Sequence, residues 1–154
     1  MTKTDNLAEY ILRLWQMEDL VRAFHDDEAL QQNPFLSDLC AMMHAEGVMS
    51  GGHTQIAKNA LLEAEEMHLQ LMEDASYRAA VMQLQPSLAL LKSKTPDPGI
   101  SDMEMMFIFL YDIMLLRLQK REISDDTLRM QQQVSRLLSH LSQAYKQMRE
   151  EECL

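Results

Sequence analysis

Met103-Glu-Met-Met-Phe-Ile-Phe-Leu-Tyr-Asp-Ile-Met-Leu-Leu116 decides the fold. Met105, Phe107, Ile108, Phe109, Leu110, Tyr111, Ile113, Met114, Leu115 and Leu116 surround its middle turns, so it reads as the central, most buried helix of a helical protein. Glu104 and Asp112 interrupt the run, which falls short of the about 18 to 20 residues a membrane span needs.

Working outward, the same three- and four-residue spacing of apolar positions recurs, and strand patterns are absent. Ahead of the central helix lies the clearest loop, Thr95-Pro96-Asp97-Pro98-Gly99. Before it a helix is expected from about Tyr77 to Lys94, with Pro86 kinking or splitting it. Further helices are expected from about Thr54 to Glu73, and from Asn33-Pro34 to about Met49, with Ser50-Gly51-Gly52 breaking the pattern between them. A short turn at Asp26 to Gln32 and a first helix from Thr4 or Asp5 to about Phe24 complete the N-terminal part. On the C-terminal side Ser124-Asp125-Asp126 caps a last helix to about Glu150. Its seam, Met130, Val134, Leu137, Leu141, Ala144 and Met148, suits either docking in the bundle or pairing with a second copy, so monomer and homodimer both stay open; docking is preferred. The expected architecture is all-α, a compact bundle of six or seven helices forming a single domain over residues 1–154.

A chain of 154 residues with 47% hydrophobic residues has enough sequence for a core without disulfide or metal staples. The net charge of -10 argues against a nucleic-acid partner, since phosphate contacts need a basic surface. Cys40 and Cys153 make no disulfide framework, and MTKTDN followed by a charged amphipathic pattern fits no signal peptide. A cytoplasmic protein with no membrane association is expected.

Three stretches carry a family likeness: Asn6-Leu-Ala-Glu-Tyr-Ile-Leu-Arg-Leu-Trp-Gln-Met-Glu-Asp-Leu-Val-Arg-Ala23; Glu46-Gly47 with Gly52-His53-Thr-Gln55-Ile-Ala-Lys-Asn59; and Leu110-Tyr111 with Leu115-Leu-Arg-Leu-Gln-Lys-Arg-Glu-Ile-Ser124. They resemble an uncharacterised all-helical Bacteroidetes family, a domain of unknown function. The resemblance implies one all-helical domain in a cytoplasmic bacterial protein, and it implies no reaction and no catalytic residues.

Two groups of residues are candidates for a site. Glu18 and Asp112 are carboxylates on otherwise apolar faces and need partners; Arg22, four residues beyond Glu18, can reach it along the helix, and Arg117, Tyr10 or Tyr111 could serve either acid. A structural ion pair between helices is preferred over a polar site. Gly51-Gly52-His53 ahead of a helix, with Gln55, Asn59 and Glu46 nearby, has the makings of a small anion site, although a tight helix-to-helix turn wants the same glycines.

Other chemistry is thinly represented. Glu65-x-x-His68 is half of a di-iron bundle motif with no second half, so no metal and no cofactor is expected, and His68 reads as a hydrogen-bonded helix residue. Glu63, Glu65 and Glu66 resemble the magnesium carboxylates of all-helical nucleotide pyrophosphohydrolases but lack a Glu-x-x-Asp on a second helix. The fourteen methionines read mainly as core filler. No complete catalytic set is present in the sequence. The preferred reading is a non-enzymatic protein-interaction or regulatory module; the rival is a small-ligand, anion-binding or hydrolytic protein using Gly52 to Asn59, with Glu46 or the buried acids.

Overall fold

The computed structural model describes residues 2–97 and 99–153. In chain order these form α1 (Leu7–Phe24), α2 (Glu28–Gln32), α3 (Pro34–Glu46), α4 (Gln55–Leu71), α5 (Ala75–Ser93), α6 (Asp102–Leu118) and α7 (Asp125–Glu152). No strand occurs among the described residues. The fold is an all-α bundle of seven helices.

Each helix starts where a side chain takes up one of its free N–H groups. The caps are Asn6, Asp27, Asn33, Thr54, Asp74, Ser101 and Ser124, each accepting from an amide two or three residues on. The first cap is Asn6, one position beyond the expected Asp5. α3 stops at Glu46, short of the expected Met49, because Gly47 adopts φ 71° and folds the chain back, with Val48 N donating to the Met43 carbonyl. The freed segment runs to Thr54 and becomes a strap over α1.

Pro86 neither ends nor splits α5. It leaves the carbonyl of Met82 without its helical donor, but both residues lie on the solvent face, where water can supply the bond.

The main core joins α1, α4, α5, α6 and α7, and a smaller cluster of Val21, Leu30, Leu39 and Met43 lies under α2 and α3. α7 turns Val134, Leu137, Leu138 and Leu141 inward, so its seam is spent within the bundle. From the same face the Ser142 hydroxyl accepts from the Ala8 amide at 3.1 Å, so α7 satisfies a free N–H in the first turn of α1. Methionine fills both clusters in part: Met103, Met105 and Met106 are buried in the main core and Met43 in the smaller one, while Met82 is exposed.

α6 is less enclosed than its composition suggests. Met103, Met105, Met106, Phe107, Phe109 and Ile113 are buried, but Leu110, Met114, Leu115 and Leu116 are half-buried and Leu118 is 68% exposed. Leu110, Met114 and Leu118 line a groove along its C-terminal half, between α1 and α7.

Candidate functional site

The polar residues singled out in the sequence gather where the strap between α3 and α4 crosses α1. Glu18 is wholly inaccessible to solvent. Its Oε1 is 2.7 Å from His53 Nδ1, and its Oε2 accepts from the Thr54 amide at 2.7 Å and the Thr54 hydroxyl at 2.8 Å. An ionised carboxylate only accepts, so the proton between Glu18 and His53 sits on Nδ1. Burial alone would raise the Glu18 carboxyl, but the bonds from His53 and Thr54 outweigh it and hold the group below its ordinary value of 4.5.

The imidazole lies flat on Trp15, with ring centroids 4.5 Å apart and planes 17° from parallel. Trp15 stands one turn before Glu18 on α1, and Phe107 and Tyr111 of α6 meet it edge-on. Carboxylate and indole together fix the ring of His53.

Arg22 ties down the rest of the strap. Its guanidinium donates to the Val48 carbonyl at 3.0 Å and 3.2 Å and to the Gly52 carbonyl, and it pairs with Asp19 at 3.0 Å. Asp19 also receives the Tyr111 hydroxyl. Burial and the neighbouring Asp19 push the Tyr111 phenol up, which keeps it a donor. Gly52 adopts φ 85°, a conformation that favours glycine.

At the start of α4 Glu46 accepts from the Gln55 amide at 2.6 Å, and Gln55 Nε2 donates to Asn59 at 2.8 Å. Thr54 Oγ1 takes the Ala57 amide at 3.4 Å. The amides of Thr54, Gln55 and Ala57 are therefore occupied by Glu18, Glu46 and the cap itself. This helix start attracts anions, and the anions it holds are the chain's own carboxylates.

The structure thus brings together Glu18, Arg22, Tyr111, Glu46, Gly52, His53, Gln55 and Asn59, with two corrections. Arg22 is not the partner of Glu18; it pairs with Asp19, and His53 takes its place. Asp112 does not belong to the buried cluster: it is exposed, without a salt bridge or side-chain hydrogen bond among the described residues, because Tyr111 turns inward toward α1 and the next position on the helix turns out. Partial burial alone pushes its carboxyl up. The sequence reading missed Trp15, Asp19 and Thr54. Thr54 was legible only as a helix start; its second bond, to a residue thirty-six positions earlier, leaves no local signal.

The residues of the half di-iron motif have separate partners: Glu65 accepts from Ser101 Oγ at 2.7 Å, and His68 Nδ1 meets the Tyr77 hydroxyl at 2.7 Å. Among the described residues no three His, Cys, Asp or Glu side chains form a metal-holding group. Among the described residues no helix is long and apolar enough to cross a membrane. Chemically, the strap network can hold a histidine in one tautomer against a carboxylate. Its Thr54 hydroxyl, which donates to Glu18, is wholly buried with that carboxylate and out of reach of a substrate.

The groove beside α6 is different in kind. It encloses about 670 Å³ and is open to solvent, with Leu12, Leu110, Met114 and Leu118 along it and Arg13 and Arg117 beside them.

No curated protein and no solved structure matches the chain. The model of one family, described as Domain of unknown function (DUF4924), matches residues 24–152, from the last residue of α1 through α7, and the chain belongs to that family.

Proposed function

We propose that this protein is a non-enzymatic docking module that receives one amphipathic helix of a partner protein in the groove between α1, α6 and α7. The observation that carries the reading is the groove itself, an open trough with Leu12, Leu110, Ile113, Met114 and Leu118 along it, the last of them 68% exposed. Its lining residues Asn6 to Gln16 of α1 cover about 15 Å at 1.5 Å per residue, the length of roughly three helical turns. That suits a helix laid in a trough, read through anchors at three- and four-residue spacing.

Charge indicates the chemistry of the partner. In a chain of net charge -10, Arg13 and Arg117 both line this groove, against a single acid, Glu9. Arg13 and Glu9 are 3.6 Å apart and largely solvated, a weak pairing that a better-placed carboxylate can displace. The occupant is therefore an amphipathic helix bearing Asp or Glu beside its apolar stripe. The rival reading, ligand binding or hydrolysis at Gly52 to Asn59, has less support because the donors there are already taken. A reducing, cytoplasmic setting goes with the proposal, supported by two unbridged cysteines, Cys40 and Cys153.

A photoreactive benzophenone side chain at Leu118, which is 68% exposed, tests the proposal in cells, with Leu90 on α5, 57% exposed, as the control. The expected result is a crosslinked partner peptide, amphipathic and acidic when sequenced, at Leu118 and not at Leu90. Indistinguishable adducts from the two positions would contradict it.

A further inference from the structure

A second concavity, of about 230 Å³, lies between α5 and α7. Its residues on α5 include Tyr77, Ala80 and Gln83, and those on α7 are Gln133, Arg136, Leu137 and His140, each set recurring at three- and four-residue spacing. Two helical stripes therefore face one another across it. Tyr77 and Leu137 are buried and form its apolar floor. The Tyr77 hydroxyl is engaged with His68, and its ring meets His140 edge-on at 5.5 Å between centroids.

The polar groups here contrast with those at the strap. Around Glu18 the donors are paired within the chain. Gln83, Gln133, Arg136 and His140 are exposed at the rim of the space, and among the described residues none of them makes a side-chain hydrogen bond or ion pair; His140 meets the ring of Tyr77 edge-on. No carboxylate lines the space, although the chain has twenty-four acidic residues. Asp74, an acid that interacts with His140, is occupied at the start of α5, accepting from the Ser76 amide and hydroxyl and from the Tyr77 amide.

The geometry points to a binding site here for a small oxyanion, a free phosphate or the carboxylate or phosphate end of a small metabolite. Arg136 supplies a permanent charge and a planar fork of donors, and Gln83, Gln133 and His140 supply further donors from both walls. The space, about 230 Å³ against about 670 Å³ for the α6 groove, suits a small group. The site is independent of the α6 groove and involves none of its residues.

The test is a titration of the full chain, followed by NMR, with inorganic phosphate and separately with malonate, each against sodium chloride at matched ionic strength. The expected result is saturable shifts of the Gln83 and Gln133 side-chain amides and of Arg136 Nε, absent with chloride. Arg136 is exposed, so Arg136→Gln should fold as the parent does and bind at least tenfold more weakly. Phosphate alone, or malonate alone, shifting these groups assigns the source of the anion. Equal shifts in parent and Arg136→Gln, the same response to chloride, or shifts confined to other parts of the bundle would overturn the site.

Discussion

Glu18 and His53, thirty-five residues apart, meet at 2.7 Å, the carboxylate sealed inside the bundle and the imidazole at its edge on Trp15. The contact fastens the strap and the first turn of α4 to the middle of α1. Taking one partner from a buried, hydrogen-bonded charge leaves the other without compensation, which is why such contacts are costly to break.

Glu18→Ala should therefore lower stability by about 3 to 5 kcal/mol in urea melts at pH 7. The pH dependence has a fixed sign. The folded-state pKa lies below the ordinary 4.5, so the folded protein binds this proton less readily than the unfolded chain. The stabilisation is complete above the unfolded value and disappears as the pH falls through the folded value. Between pH 7 and 3 the parent should lose more stability than Glu18→Gln; parallel curves would separate Glu18 from the acid transition.

Ser142→Ala should cost about 1 to 3 kcal/mol, the typical penalty for leaving a buried amide without its partner, here the Ala8 N–H of α1. Ser142→Thr keeps the hydroxyl and tests whether the bond or the cavity matters. Hydrogen exchange at Ala8 should accelerate in the alanine variant, and an unchanged rate would contradict the bond.

Asp112→Asn should melt in urea with the parent or slightly above it at pH 7. The carboxyl is raised by partial burial and has no partner to lose, so its ionised form contributes no stabilisation that the amide would remove. A substantial loss of stability would place Asp112 in a buried pair after all.

Much of this arrangement could be read from the chain. Helical spacing, the caps at Asp74 and Ser124, the Thr95–Gly99 loop and the Gly51-Gly52 break place the helices to within a few residues, because those signals act within one turn of backbone. Glu18 stood out as an acid on an apolar arc, and Gly52, His53, Gln55, Asn59 and Glu46 as one neighbourhood. The pairing between the two groups was hidden, since Arg22 is the nearer candidate in sequence and only the fold carries His53 across α1. Asp112 misled for the opposite reason: apolar residues all round the middle turns implied enclosure on every side, whereas α6 leaves the Asp112 face open to solvent and borders a groove with Leu110, Met114 and Leu118. Grooves are made by the absence of a neighbouring element, and no residue encodes that locally.

The central claim is that the strap network holds the fold while the α6 groove receives the partner. The most direct measurement is the yield of the Leu118 photocrosslink in three backgrounds: the parent, the double charge reversal Arg13→Glu and Arg117→Glu, and His53→Ala. The account predicts that the double reversal keeps its thermal melt and loses the crosslink, whereas His53→Ala melts earlier and, while folded, crosslinks as the parent does. A crosslink that survives the charge reversal, or one that folded His53→Ala abolishes, would contradict it.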